Sequence, residues 1–162
     1  MRELDAVLDT SAIVCLLEEE PGADVVEERL RAARAGKAQL GASCVSLVEV
    51  YYKAHQSEGE ERAHHLVSVV KAWPIEFIYP DEALCLAAGE IKALFPLSFA
   101  DAFVAATARE TNAVLLHKDP EFESLRGRVR LKALPYKSRT TSPGLLLALM
   151  MRSSSACGFC VG

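Results

Sequence analysis

The stretch LDAVLDTSAIVCLLEEE, residues 4–20, opens with a short apolar run at Leu4–Leu8, passes through Asp9, Thr10 and Ser11, and ends in a helical pattern from Ala12 to Glu19. Asp, Thr and Ser are cap residues, because a side-chain oxygen accepts the backbone N–H groups that a helix's first turn leaves unpaired. The stretch therefore reads as strand, tight turn and helix. Pro21-Gly22 breaks that helix, and Asp24 to Arg34 then places Val25, Val26 and Leu30 on one face with charges on the other.

The same order repeats downstream. Gln39–Ala42 forms a short strand ending at Ser43, and Val45–His55 carries Leu47, Val48, Tyr51 and Tyr52 at helical spacing. Glu58–Trp73 is helical in pattern, Ile75–Tyr79 is a β-type run, and Asp81–Phe95 is helical again. Ser98 is placed to cap a helix bearing Phe99, Ala102, Phe103 and Ala106. Val114–Leu116 is a strand followed by a loop with Asp119-Pro120, and Val129–Leu134 closes as a last strand. Alternating strands and helices predict an α/β fold, a three-layer α/β/α sandwich around a mainly parallel sheet.

At 162 residues, 51% hydrophobic and 25% charged, the chain suits one packed domain. Its composition shifts at Ser138, after which Ser, Thr, Pro and Gly dominate and no acid occurs. Residues 1–137 are thus read as the domain, and 138–162 as a C-terminal extension expected to be poorly ordered. Its apolar run, Leu145–Met151, is far shorter than a membrane span needs, so no membrane is expected as partner. The formal charge is -4 overall; subtracting the extension's two arginines from the 18 basic residues leaves 16 against 22 acidic ones, or -6 for the domain. A polyanion must therefore be met by local patches or bound cations rather than by a broad basic face.

The opening MRELDAVLDT places carboxylates where a signal peptide needs an apolar stretch. The five cysteines are an odd count, and Cys15, Cys44 and Cys85 sit among aliphatic residues as small hydrophobes. Both features fit a reducing, cytoplasmic setting. Cys157 and Cys160 have CxxC spacing but no second ligand pair, and His64-His65 are consecutive helical positions that face different ways, so neither pair is read as a metal site.

In open α/β sheets the ligand lies beyond the carboxyl ends of the strands. Asp9 directly ends the run AVL, and Asp119 follows VLL after two intervening residues. Glu49 stands in SLVEVYY and Asp101 in SFADAFVAATA, surroundings where a charge must be paired, hydrogen-bonded or bound to a cation. Singly, each acid also suits a plain role as cap, turn residue or exposed rim. Together, with oxygen as the only donor type, the four suit Mg²⁺ or Mn²⁺.

LDTSA, SLVEV, LSFADAFVAATA and LLHKDPEFESL, in this order between Leu4 and Lys137, resemble the motifs of PIN-domain ribonucleases, with the VapC-type toxins of type II toxin–antitoxin systems as the nearest subgroup. The resemblance implies a Mg²⁺- or Mn²⁺-dependent endoribonuclease whose catalytic and metal-binding acids are Asp9, Glu49, Asp101 and Asp119. It implies substrate-binding roles for Thr10, Ser11 and Ser98. His117 stands where many relatives have threonine or serine, and is assigned to the same group with phosphate contact, metal contact or mere packing left open. Asp9 and Asp101 are the best candidates for direct ligands, with Glu49 and Asp119 as ligands, water-orienting groups or both. The implied reaction is cleavage of RNA by metal-activated water, leaving a 5′-phosphate and a 3′-hydroxyl; a second ion about 3.5–4 Å from the first would stabilise the leaving oxygen.

The implied partners are an RNA substrate, a cognate antitoxin protein and a second copy in a homodimer. The antitoxin is expected on the early helices, where Val14, Leu16, Leu17, Val25, Val26 and Leu30 offer apolar surface, and the dimer on part of that surface or on the helix after Glu58. Lys53, Lys92, Arg109 and Lys118 are either a basic rim near the acids or ordinary surface residues. Two alternatives are weaker. A catalytically idle PIN-like module binding RNA or protein would not need all four acids, and a phosphohydrolase of the haloacid dehalogenase type would need a second Asp where Ser11 stands.

Overall fold

In the computed structural model, which describes residues 3–135, strand β1 (Ala6–Leu8) is buried along its whole length. It runs parallel between β2 (Leu40–Ser43) and β4 (Val114–His117), with Val7 opposite Gly41 on one side and Leu115 on the other. Outside these lie β3 (Glu76–Ile78) and β5 (Arg130–Ala133), also parallel, giving the order β3-β2-β1-β4-β5. A strand covered on both faces cannot alternate apolar with polar, which is why the two central runs, AVL and VLLH, are almost wholly apolar.

Successive strand residues point to opposite faces, and the core divides accordingly. Val7 and Leu115 pack with Leu84, Ile91, Phe103 and Phe122 on one face. Ala6, Leu8 and Leu116 pack with Ile13, Val26, Leu30, Val50 and Val70 on the other. The first face is covered by α5 (Glu82–Leu94), α6 (Phe99–Glu110) and the 3₁₀ helix η1 (Pro120–Leu125). The second is covered by α1 (Thr10–Leu17), α2 (Ala23–Arg34), α3 (Val45–Glu58) and α4 (Glu60–Lys71). The molecule is the three-layer sandwich that the sequence predicts.

Departures from the sequence reading are local. The helix read over Val45–His55 runs on to Glu58, and the one read from Glu58 starts at Glu60; the two are divided at Gly59, whose φ of +91° is a conformation that residues with a Cβ rarely adopt. The stretch after Asp119, read as loop, holds η1, in which Phe122 and Leu125 are buried. Cys15 is buried as expected, but Cys44 is only partly covered at the start of α3 and Cys85 is exposed on α5. His64 and His65 are exposed on α4, as read.

The expected apolar surplus on the early helices is smaller than the sequence count indicates. Val26 and Leu30 are core residues, while Val14, Leu16, Leu17 and Val25 are half-buried. The large apolar side chains that stay exposed lie elsewhere, at Val48 and Tyr52 on α3, Leu86 and Leu94 on α5, Phe99 on α6, and Tyr79 after β3. Among the described residues no single helix is long and apolar enough to cross a membrane. The extension from Ser138, with Leu145–Met151, Cys157 and Cys160, lies outside the described residues.

Candidate active site

Three helices that start beside one cleft have an oxygen-bearing side chain as cap. Asp9, directly after β1, caps α1 by accepting from the Ser11 amide at 2.9 Å. Ser98 caps α6 by accepting from the amide of Asp101 at 3.1 Å. Asp119, after β4, caps η1 by accepting from the Glu121 amide at 2.8 Å. Glu49 comes from the early turns of α3, which follows β2. The positive ends of helix dipoles favour carboxylates at such positions.

These side chains line one open cleft, together with Thr10, Ser11, Lys53 and Glu121. Thr10, itself buried, donates its hydroxyl to Glu49 Oε2 at 2.6 Å and ties α1 to α3. Ser11 donates both its amide and its hydroxyl to Asp9 Oδ2, and the Ser11 hydroxyl also accepts from the amide of Lys118 at 2.8 Å. The β4–η1 loop and the start of α1 are therefore fixed to each other through Ser11.

Burial of the carboxylates differs from what their neighbours in sequence imply. Asp9 is the deepest, 3% exposed, and burial pushes its carboxyl up to about 6 against the lowering effect of the Ser11 hydrogen bonds, with the charge of Asp101 adding to the rise. Glu49 and Asp101 are only partly covered. Adjacent helical residues point about 100° apart, so the apolar Val48 and Phe99 face away from the cleft, 61% and 69% exposed. Glu49 also has a cation that sequence adjacency hides, since Lys53, one turn along α3, stands 3.6 Å from its Oε1.

His117 does not reach the cleft. It is fully buried, its Nδ1 lies 2.8 Å from the carbonyl oxygen of Asp119, and its ring meets Phe122 edge-on at 5.3 Å. Its contacts are those of a core residue that shapes the loop carrying Asp119. Glu121 is the cleft residue absent from the sequence reading. The dipeptide spacing from Asp119 across Pro120 is its signal, because a proline that starts a 3₁₀ turn keeps both acids at the same sheet edge.

The donor set is all oxygen and mostly anionic, which fits a hard divalent cation. The partial protonation that burial and Asp101 favour at Asp9 is also what a bound cation would relieve. Among the described residues no three acidic, histidine or cysteine side chains converge closely enough to enclose an ion as they stand. Repulsion among uncompensated carboxylates opposes such convergence.

The PIN domain family profile matches residues 6–128. No curated relative matches the sequence. Among solved structures, the VapBC2 complex of Rickettsia felis bound to a promoter DNA fragment contains a chain similar at 18% identity and a TM-score of 0.67, covering 82% of this chain and all of that one. A DNA-bound VapBC from Salmonella typhimurium gives 21% identity and a TM-score of 0.65, over 80% of this chain and 98% of the other. VapC20 of Mycobacterium tuberculosis, a toxin that cleaves the sarcin–ricin loop, gives 18% and 0.59, over 77% and 97%. These likenesses are of fold. The profile spans both central strands and every acid of the cleft, from Asp9 to Glu121, and the chain belongs to the PIN-domain family.

Proposed function

We propose that the protein is a Mg²⁺- or Mn²⁺-dependent endoribonuclease and the toxin of a toxin–antitoxin pair, acting in the cytoplasm. The observation that carries this reading is the cleft itself, which Asp9, Glu49, Asp101 and Asp119 line from four separate segments. A neutral cap such as asparagine or serine would start α1 without the cost that burial near Asp101 places on the charged form of Asp9.

In this reading Asp9 and Asp101 hold the cation, with Glu49 and Asp119 completing its surroundings or orienting water. When bound, the cation neutralises charge at the phosphate and makes water a better nucleophile at neutral pH. The protein's own groups keep the acids in place: Ser11 orients Asp9, Thr10 orients Glu49, and Ser98 fixes the backbone of Asp101. The exposed edge of the cleft leaves room for an RNA strand, and Ser98 offers it a hydroxyl.

The proposed antitoxin segment lies in the groove between α1, α3 and α4, walled by Val14, Leu17, Val50, Ala54 and Leu66. The similar structures include a toxin–antitoxin complex from Klebsiella pneumoniae and a member of the VapBC family of toxin–antitoxin systems from Mycobacterium tuberculosis, which supports such a partner. For the homodimer, the exposed apolar side chains favour the α5–α6 side, where Phe99 and Phe103 wall a hollow with Cys85, Ala88 and Ala102. A strictly monomeric protein by light scattering at high micromolar concentration removes the dimer.

The test of the activity is incubation of purified protein with structured RNA in Mn²⁺, in Mg²⁺ and in EDTA, beside Asp101→Asn. Cleavage with either metal, its loss in EDTA and its loss in the variant are expected, with 5′-phosphates on the products. Equal cleavage in EDTA removes the metal mechanism. RNA binding without cleavage under any metal leaves the idle PIN-like module instead.

A further inference from the structure

A cleft lined by Asp9, Glu49, Asp101, Asp119 and Glu121 repels a polyanion, so the strand needs a counter-charge that faces it. The four cations that the sequence places near the acids separate clearly. Lys92 donates to the carbonyl of Leu97 at 2.6 Å, and Arg109 is held by Glu90 and Glu110, both at 3.0 Å. Lys118, whose side chain is only 9% exposed, turns its ammonium away from the acids to Glu20 at 2.8 Å and the carbonyl of Pro21 at 3.1 Å. Lys53 alone of the four lines the cleft.

Its setting differs from theirs in kind. The Lys53 side chain is 51% exposed, and its ammonium sits 3.6 Å from Glu49 Oε1, near enough for attraction but too far for a good hydrogen bond. Glu49 Oε2 is already satisfied by the Thr10 hydroxyl at 2.6 Å, so Glu49 keeps a partner when Lys53 leaves it. A lysine ammonium is a compact charge on a flexible four-carbon stem, able to follow an oxygen over a short distance without a fixed fork geometry.

We propose that Lys53 is a substrate-binding residue which exchanges Glu49 for a phosphate oxygen of the RNA strand entering the cleft. The proposal rests on the nuclease reading for its substrate, and on the cleft geometry for the residue. Its location on α3 places the phosphate contact one helical turn from Glu49, on the solvent side of the acids.

The experiment compares Lys53→Met and Lys53→Arg. Cleavage of an RNA hairpin in Mn²⁺ should show KM raised about tenfold in Lys53→Met, the loss of one charge-assisted contact, with kcat changed far less and the arginine variant restoring most of the loss. In an Asp101→Asn background, anisotropy of the labelled hairpin between about 50 and 200 mM KCl should show the salt slope reduced by about 0.7 in Lys53→Met. Mn²⁺ should raise the melting temperature of Lys53→Met at least as much as that of the wild type, because removing the lysine frees Glu49. Damage to the fold would weaken both ligands, whereas loss of a phosphate contact weakens RNA alone. An unchanged KM and salt slope in Lys53→Met overturns the proposal, as does an equal defect in Lys53→Arg. If the wild type binds the hairpin but never cuts it, and the salt slope still falls in Lys53→Met, Lys53 stands and the nuclease reading falls.

Discussion

Replacing Asp9 by Asn tests whether the cleft stores electrostatic cost in its deepest carboxylate. The Asp9 carboxyl moves from an ordinary 3.8 to about 6 on folding, chiefly through burial. At about 1.4 kcal/mol per unit, this shift makes the fully ionised fold less stable by about 3 kcal/mol than a fold with a neutral group there. The sign follows from the direction: a carboxyl raised in the folded state contributes stability that is complete below 3.8 and is lost as pH rises through about 6. Asn keeps an oxygen that accepts from the Ser11 amide and hydroxyl, and stays neutral at every pH. In EDTA the stability difference, variant minus wild type, should therefore be small near pH 4 and grow to about 3 kcal/mol by about pH 7.5. Urea unfolding at a series of pH values measures it, and titration of other groups common to both proteins largely cancels in the difference. An imperfect fit of the Asn amide shifts the whole curve without changing its shape. A difference that does not vary with pH refutes the argument that burial is the source of the cost.

Mn²⁺ at about a hundred times its Kd should stabilise the wild type by about 2.7 kcal/mol and Asp101→Asn by clearly less, read as melting shifts; equal shifts take Asp101 out of the metal site. In EDTA, Asp101→Asn should melt at or above the wild-type temperature, since it removes a charge that raises Asp9. Thr10→Val should lower stability by about 1 to 2 kcal/mol by removing the bond to Glu49, while Thr10→Ser should stay close to wild type in the same denaturant titration. Gly41→Ala should lower it by about 1 to 3 kcal/mol, because a Cβ there would lie 2.5 Å from Leu4 Cδ1 and 3.2 Å from the Glu76 carbonyl on the neighbouring strand. A neutral Gly41→Ala would mean that Leu4 relaxes freely.

The sheet was legible because its central strands are short, mostly apolar runs followed within two residues by capping side chains, a pattern that belongs to parallel strands feeding helices. Ala6–Leu8 before Asp9 and Val114–His117 before Asp119 both show it. Boundaries were less legible where a single backbone angle decides them, as at Gly59, or where a proline reads equally as loop and as the first residue of a 3₁₀ helix, as at Pro120. Burial of single side chains was the least legible property. Glu49 and Asp101 stand among apolar letters, but a helix turns those neighbours to other sides, so the carboxylates share a cleft with water while Asp9, followed by two hydroxyl residues, is the one withdrawn from it. His117 shows the same limit in reverse, since its position beside the last acid carries no sign that the strand points it into the core.

The plain reading of Asp9 and Asp119 as caps and turn residues is not a rival of the metal reading. Both acids accept from the backbone of the helix they start, and Ser98 does the same for the helix that carries Asp101. A parallel α/β sheet brings strand ends and helix starts to one edge, so the residues best placed to cap are also those that face the cleft. One carboxylate oxygen can serve the helix while the remaining charge serves a cation. Alanine at Asp9 or Asp119 removes cap and charge together, with the lost cap alone costing about 1 kcal/mol of stability. Asparagine retains the acceptor and removes only the charge. The two substitutions therefore divide a loss of activity between a loosened helix start and a lost ligand, and the PIN-type reading requires that asparagine abolish activity while the fold stays intact.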